Sequence, residues 1–191
     1  MKHLMLDIET MGNGSYAAVT SIAAVEFDLE TGKTGREFHK RISLQSSLDM
    51  GLKVTASTLL WWLDQTKEAQ KELHGVDDLF DTLVEFNIWV GDKEYQVWGN
   101  GASFDCSILR DAFEICELEA PWKFFNERDV RTLSSLIPDI KKGMKFEGEP
   151  HNPIDDCKHQ IKYCNEIYMQ LFPFRINTLI TRLNRYNENK V

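Results

Sequence analysis

The 191-residue sequence has no apolar run long enough to cross a bilayer, and its first residues, MKHLMLDIET, do not form a signal-peptide pattern. Its four cysteines include no pair at C-x-x-C spacing, which argues against a zinc site. Repeats, low-complexity stretches and linkers are also missing. We therefore expect reduced, buried thiols, a cytoplasmic location without a membrane partner, and a single domain over residues 1–191.

Basic residues are outnumbered, but unevenly along the chain. The formal net charge is −8, yet residues 1–120 hold 10 basic and 21 acidic residues, whereas residues 121–191 hold 12 and 9. Acidic proteins do not usually bind nucleic acid by diffuse electrostatic attraction. By charge alone a solvated acidic surface is favoured, and a polyanionic substrate would require bound cations and a local basic face.

The hydrophobic pattern predicts three strands followed by helices that alternate with strands. HLMLDIE, VTSIAAVEFD and GREFHKRIS are typical of strands, the last two joined by the turn LETGK. Helices are predicted at TASTLLWWLDQ, TKEAQKELHG, DDLFDTLVEFNIWVG and 104–113, and short strands at YQVWG and RDVRTL. Two helices end the chain, the second an extension over 174–191. This order predicts an α/β fold: a mixed sheet, with a three-strand antiparallel meander plus parallel strands, and helices on both faces.

Carboxylates occur near the end of the first predicted strand and at the start of a predicted helix. LDIET places Asp7 and Glu9 two residues apart on a strand, so both side chains leave one face and repel unless a cation lies between them. Asp105 follows the turn GNGAS at a helix start, where a carboxylate also stabilises the helix dipole. An exposed strand end and an ordinary first helical turn are the alternatives to a metal site.

The stretch HNPIDDCKHQ places two adjacent aspartates at the start of a predicted helix. Asn152 suits the N-cap and Pro153 the first helical position. Asp155 then falls at the third helical position, where its side chain can reach back to the cap. Asp156 has no such local role, so it is the candidate ligand, and His151 precedes the helix on the same side.

Asp7, Glu9, Asp105 and Asp156 together form a set of hard oxygen ligands without a cysteine partner. Such a set suits Mg²⁺ or Mn²⁺, and two such ions can activate a water and stabilise the leaving oxygen of a phosphodiester. A neutral His151 is a suitable base for that water. The pattern favours hydrolysis over a non-catalytic module that binds nucleic-acid ends or a partner protein.

These motifs resemble those of the DnaQ-like exonucleases that carry a DEDD carboxylate set and a catalytic histidine (DEDDh). DIET resembles their first motif, NGASFDCSIL the second and HNPIDDC the third. The likeness extends from about Leu4 to about Phe172. It is closer to the phage DexA exonucleases and the bacterial RNase AS group, through DIETMG, STLLWW, FNERDVRTL and HNPIDDC.

The resemblance implies a ribonuclease H-like fold and 3′→5′ removal of nucleotides from single-stranded ends as 5′-monophosphates. It implies that Asp7, Glu9 and Asp156 hold one metal ion. Asp7 would also bind the second ion, with Asp105, and His151 would be the general base. DNA is slightly favoured as substrate; an exoribonuclease acting on A-rich 3′ tails is the alternative, since no residue visibly reads a 2′-hydroxyl.

Residues beside the first two motifs are candidates for substrate contact. Met11 and Gly12 follow the first motif, where backbone can approach the terminal sugar, although the glycine can equally serve a turn. Trp61, Trp62 and Phe104 are candidate stacking platforms. Adjacent tryptophans on a helix point about 100° apart, so we expect one in the core and one near the site. Helix packing is the alternative for Phe104.

Basic residues in the C-terminal third are candidates for phosphate contact. Arg128 and Arg131 alternate along the predicted strand RDVRTL and would share a face, where they either neutralise phosphate or pair with neighbouring carboxylates. KKGMK is predicted to be a mobile basic loop that either guides the strand in or is solvated surface. The apolar stripe of the last helix either closes the core or forms a homodimer contact, so monomer and homodimer stay open (Ile176, Leu179, Ile180, Leu183).

Overall fold

A five-stranded mixed sheet lies at the centre of the computed structural model, which describes residues 1–173. The strands are β1 (His3–Thr10), β2 (Val19–Phe27), β3 (Thr34–Arg41), β4 (Gln96–Gly99) and β5 (Glu127–Asp129). Their order is β3-β2-β1-β4-β5, with antiparallel pairing of β1 to β2 and β2 to β3, and parallel pairing of β1 to β4 and β4 to β5. The predicted meander and parallel strands are confirmed.

In the described part of the chain, seven α-helices follow the meander or alternate with the later strands: α1 (Leu44–Asp49), α2 (Ala56–Leu63), α3 (Leu79–Val90), α4 (Asp105–Ile115), α5 (Val130–Leu136), α6 (Pro138–Gly143) and α7 (Pro153–Leu171). Short 3₁₀ helices cover Ala69–Leu73 and Phe124–Asn126. Within residues 1–173, no helix has the length and apolar character that a bilayer span requires. The predicted helical extension at 174–191, with its apolar stripe, lies outside the described residues.

Strand β1 separates two hydrophobic cores. Leu4, Leu6 and Ile8 pack into the core that α2, α3 and α4 cover, whereas Met5 packs into the core under α5, α6 and α7. Because side chains alternate along a strand, Asp7 leaves the same face as Met5, and so does the residue two positions later. The paired carboxylates of the first motif therefore face α7. All four cysteines are free and buried in these cores, as expected.

A glycine at the end of β4 lets a third carboxylate reach the same strand. The pairing of β1 with β4 ends at Leu6 and Gly99. A Cβ atom at Gly99 would lie 2.9 Å from a carboxyl oxygen of Asp105, closer than real contacts allow. Asp105 Oδ1 accepts the N–H of Ile8 at 3.4 Å, on the stretch of β1 that β4 no longer pairs. The turn after β4 thus delivers the carboxylate to the carboxyl end of β1.

Three local predictions are wrong. RDVRTL does not continue as a strand, because Asp129 Oδ1 accepts the N–H of Thr132 at 2.6 Å and caps α5. KKGMK is not wholly a loop, since Lys141 and Lys142 form the last turn of α6. TKEAQKELHG forms a 3₁₀ helix over Ala69–Leu73 rather than an α-helix, a form common in short connecting pieces.

The start of α7 is built as the sequence predicts, with one difference. Asn152 Oδ1 accepts the N–H groups of Ile154 at 3.1 Å and Asp155 at 3.3 Å, and Pro153 occupies the first turn. Asp155 does not reach back to the cap residue; its Oδ2 accepts the N–H of Glu149 at 3.0 Å instead. Asp155 therefore fixes the loop ahead of the helix.

We expect Asn152→Ala to lower the free energy of unfolding by about 0.5–2 kcal/mol, because two N–H groups of α7 lose their acceptor. Urea denaturation monitored by circular dichroism measures this. Asn13→Ala, at an exposed turn position, is the matched control and should change stability far less. Equal losses in the two variants would contradict the capping role.

Candidate active site

A cleft of about 320 Å³ lies at the carboxyl end of β1. Its walls come from β1, the starts of α4 and α7, the exposed side of α2 and the first turn of α5. The structure brings all five residues of the predicted catalytic set to this one cleft: Asp7, Glu9, Asp105, His151 and Asp156.

The carboxylates in the cleft have raised pKa values, and burial is the largest cause for each of them. For Asp7, removal from water raises the pKa well above its ordinary value, and repulsion from Asp105, Glu9 and Asp156 adds to the shift. The pKa of Glu9 is also raised well above its ordinary value, mainly by burial and next by repulsion from Asp156. Burial raises the pKa of Asp105 to about 7 despite hydrogen bonds from backbone N–H groups. A positive charge placed among these groups would keep them ionised.

The donor set fits a divalent cation. Glu9, His151 and Asp156 each offer a ligand atom, and these atoms lie within 4.8 Å of one another. Carboxylate oxygens suit Mg²⁺ and Mn²⁺, and an imidazole is an acceptable additional ligand for Mn²⁺. Asn100 Oδ1 and Gln160 Oε1, on residues that line the cleft, are buried without a hydrogen-bond partner among residues 1–173. These features are consistent with a bound ion and its polar surroundings.

Asp156 and Trp61 together hold His151. The backbone of His151 has a φ of +65°, an uncommon conformation for a residue with a side chain. Its N–H donates to Asp156 Oδ2 at 2.9 Å. Its imidazole lies perpendicular to the ring of Trp61, with the ring centroids 5.3 Å apart and an interplanar angle of 90°. As predicted, the second aspartate of the pair lies at the cleft.

The two neighbouring tryptophans divide between core and cleft. Trp62 is 1% exposed, and its Nε1–H donates to the carbonyl of Thr10 at 2.9 Å, so it is a core residue. Trp61 is 43% exposed and lines the cleft, as does the partly buried Phe104. Trp61 and Phe104 are therefore the aromatic surfaces available to a nucleotide.

The two predicted phosphate-binding arginines do not share a face. Arg128 lies on β5, outside the cleft, and donates to the carbonyls of Phe125 at 3.1 Å and Glu127 at 2.7 Å. Arg131 lies in the first turn of α5 and lines the cleft. The prediction fails because Asp129 ends the strand between them. Of the neighbouring carboxylates, Glu127 pairs with Arg110 at 3.0 Å, whereas the charge of Arg131 contributes to the lowered pKa of Asp129.

Met11 and Gly12 are absent from the walls of the cleft. The side chain of Met11 is 2% exposed, and its N–H and carbonyl bond to Ala18 and Thr55, each at 2.8 Å. A Cβ atom at Gly12 would lie 3.0 Å from the Cβ atom of Ala17. Tight packing of the chain after β1 is sufficient to account for both residues, and their contact with the terminal sugar stays a prediction.

Sequence reasoning missed two polar residues of the cleft, Gln160 and Asn100. Gln160 Nε2 donates to Asp7 Oδ1 at 2.9 Å and so orients that carboxylate. Because Gln160 follows Asp156 by four positions on a helix, the two share a face, and this spacing was a usable signal. Asn100 lies in an irregular turn, where no periodic pattern indicates direction.

A comparison with protein-family models matches residues 2–168 to the 3'-5' exoribonuclease Rv2179c-like domain. The chain belongs to this family. It is therefore a nuclease that degrades nucleic acid in the 3′→5′ direction. The prediction of an enzyme, rather than a non-catalytic binding module, is confirmed, and so is the resemblance to the DnaQ-like exonucleases.

Similar proteins agree with this assignment. The exodeoxyribonuclease of Enterobacteria phage T4 is 29% identical in an alignment 197 residues long. The alignment covers 84% of this chain and 86% of the phage protein. The nuclease domain of 3'hExo, a DEDDh family member, superposes with a TM-score of 0.58 at 14% identity, covering 88% of this chain and 90% of that one. Cell-death related nuclease 4 gives 0.64 at 14% identity, but this chain spans only 63% of its length. These structures establish the ribonuclease H-like exonuclease fold.

In EDTA, we expect Asp7→Asn to be more stable than the parent at about pH 8, and the difference to shrink towards about pH 4. A raised pKa in the folded protein means that folding favours the protonated carboxyl. The stabilising contribution is complete below the ordinary pKa of about 4 and is lost as pH rises through the raised value. Urea denaturation across this pH range measures the difference.

Asp28→Asn is the control, because we expect it to change stability at about pH 8 in the opposite direction. Burial of Asp28 opposes ionisation, but hydrogen bonds from Thr31 outweigh it and lower the pKa, so its charge stabilises the fold above the ordinary pKa. A stability loss in Asp7→Asn at about pH 8, like that in Asp28→Asn, would show that Asp7 is not under repulsion.

Proposed function

We propose that this protein removes nucleotides one at a time from the 3′ end of single-stranded nucleic acid, DNA in preference to RNA, and releases nucleoside 5′-monophosphates. The observation that carries the proposal is the convergence of four carboxylates and His151 on one cleft. Family membership supplies the direction of cleavage. The reaction depends on two Mg²⁺ or Mn²⁺ ions.

The carboxylates are the proposed metal ligands. Asp7, Glu9 and Asp156 would hold one ion, and Asp7 and Asp105 would hold the second. When bound, the two ions supply Lewis-acid stabilisation of the attacking and leaving oxygens of an in-line displacement. The raised pKa values of the four carboxyl groups support this role, because a nearby positive charge would stabilise their ionised forms.

His151 is the proposed general base. It takes a proton from the water whose oxygen forms a bond to the terminal phosphorus, while the bond from that phosphorus to the O3′ of the preceding nucleotide breaks. The leaving O3′ then takes a proton from solvent. The contact with Trp61 and the hydrogen bond from the backbone of His151 to Asp156 fix the imidazole beside the carboxylates.

Trp61 and Phe104 are the proposed stacking surfaces for the terminal bases, and Arg131 is the proposed partner of a substrate phosphate. Aromatic stacking binds single strands with little sequence preference, because every base has a π-face. Arg131 lines the cleft, and none of its side-chain N–H groups donates to another residue in the described ranges. Its donors are therefore available to a ligand.

RNA is the second candidate substrate, as an exoribonuclease acting on A-rich 3′ tails. The description of the matching family favours RNA, whereas the phage T4 relative, similar over most of both chains, is an exodeoxyribonuclease. Parallel time courses on DNA and RNA strands of one sequence decide between them. Faster loss of the RNA strand would overturn the preference for DNA.

The proposed setting is the cytoplasm, where the four buried cysteines stay reduced. Monomer and homodimer are both compatible with the proposed activity, and light scattering of the purified protein distinguishes them.

Strands labelled at either end test the reaction itself. With Mg²⁺ or Mn²⁺, we expect a 3′ label to be released at once as a mononucleotide, and a 5′ label to move through a ladder of shortening strands. EDTA should stop both changes. Immediate release of the 5′ label, or intact strands in the presence of either metal, would refute the proposed function.

Adjacent aspartates provide a matched pair of variants. We expect Asp156→Ala to abolish turnover, because it removes both a metal ligand and the acceptor for the N–H of His151. Asp155→Ala should retain turnover and lose about 0.5–1.5 kcal/mol of stability, because only the N–H of Glu149 loses its acceptor. Strand degradation and urea denaturation measure the two effects. An inactive but folded Asp155→Ala would reverse the assignment.

A further inference from the structure

A second concavity, of about 520 Å³, adjoins the cleft beside α5 and α6. We call it the basic pocket; its lining is Arg131, Ser134, Ser135, Pro138, Lys141 and Lys142. Arg131 belongs to the walls of both the pocket and the cleft, so the two are adjacent. No described carboxylate lines the pocket, although the chain as a whole has a net charge of −8.

The three cations of the basic pocket form no close ion pair within the described part of the chain. Neither Arg131 nor Lys141 nor Lys142 forms an ion pair with a carboxylate in residues 1–173. The Nζ atom of Lys141 lies 5.5 Å from the ring centroid of Tyr163, which leaves its charge available. The charge of Arg131 favours ionisation of Asp105 and Asp129, so Lys141 and Lys142 are the two cations of the pocket without a described carboxylate partner.

Helix electrostatics explains only part of this arrangement. Lys141 and Lys142 lie in the last turn of α6, where a positive charge is favourable. Arg131 lies in the first turn of α5, where a positive charge opposes the helix dipole. Its charge instead favours ionisation of Asp105 and Asp129, so these carboxylates, rather than its own helix, account for its position between the cleft and the pocket.

We propose that the basic pocket binds the phosphodiester backbone of the strand on the 5′ side of the nucleotide held in the cleft. The proposal rests on the function proposed above. Arg131 and Ser135 are four residues apart on α5, or about 6 Å along the axis. A strand that leaves the cleft past Arg131 thus enters the pocket directly.

The chemistry of the pocket favours phosphate over base recognition. The hydroxyl of Ser134 donates to the carbonyl of Arg131 at 3.2 Å, and that of Ser135 to the carbonyl of Thr132 at 2.7 Å. Because both O–H groups donate to carbonyls of the helix, the serines present no donors to the edge of a base. Their small side chains leave space in the pocket for a phosphate group. Lysines act as point charges on phosphate, so binding is independent of sequence.

The double variant Lys141→Ala/Lys142→Ala tests the pocket, with Lys2→Ala/Lys33→Ala as the control of equal charge. Both control lysines are exposed at the opposite end of the sheet. Three measurements are made on the full chain: degradation of a long single-stranded oligonucleotide, hydrolysis of a nitrophenyl ester of a nucleoside 5′-monophosphate, and binding of the oligonucleotide in EDTA at several salt concentrations. The ester reaches the cleft but has no strand to place in the pocket.

We expect the pocket variant to raise KM for the oligonucleotide roughly tenfold at low salt, with ester hydrolysis unchanged. In EDTA, the slope of log Kd against log salt should fall by about 0.7 for each phosphate that the protein no longer neutralises, or about 1.4 for two. The control variant should change neither. Lys142→Ala alone should reduce the slope by about half as much.

An unchanged KM and salt slope in the pocket variant would overturn the proposal. Equal loss of ester hydrolysis in a folded variant would also overturn it, since the lysines would then act through the catalytic centre. If the parent protein degrades neither substrate, the proposed function fails. The salt slope in EDTA still decides whether the pocket binds the strand.

Discussion

Repulsion among four carboxylates in one cleft is the constraint on which the rest of the structure depends. Burial raises the pKa of each group, and repulsion from the other carboxylates of the cleft raises the pKa values of Asp7 and Glu9 further. Only a rigid frame can hold such a set together. Asp7 and Glu9 are fixed by the part of β1 that pairs with β2. Asp105 accepts the N–H of Ile8, and the missing side chain of Gly99 leaves space for it. The stability of the sheet thus maintains an arrangement that is locally unfavourable.

Segregation of charge accounts for an acidic protein that acts on a polyanion. The carboxylates form the floor of the cleft, where divalent ions are expected, and the unpaired cations lie on one wall and in the adjoining pocket. Both features come largely from separate parts of the chain, since the excess of acid lies in residues 1–120 and the excess of base beyond it. Net charge is therefore a poor guide to partner here, and its distribution is a better one.

The sequence predicted those features that repeat or that have a local cause. Period-two alternation placed Asp7 and Glu9 on one face, and the cap pattern located the start of α7. The strand prediction for RDVRTL was wrong. The alternation of apolar and polar residues indicates a strand, whereas Asp129 is suited to cap a helix, and the segment is too short for the sequence to distinguish the two. The prediction that Arg131 shares a face with Arg128 was wrong for the same reason. Contacts such as that of Gln160 with Asp7 join residues far apart in the chain, and only the α7 spacing hinted at them.

The adjacent aspartates of α7 have complementary roles in one loop. Asp155 accepts the N–H of Glu149, and Asp156 accepts the N–H of His151, so the segment before the helix is held at two points. Each carboxylate gains a backbone donor, which offsets the repulsion between neighbours. Because His151 has a positive φ, its position depends on these restraints rather than on an intrinsic preference. A carboxylate that serves as a proposed metal ligand also fixes the proposed base, and this double role explains why the pair occupies the first turn of the helix.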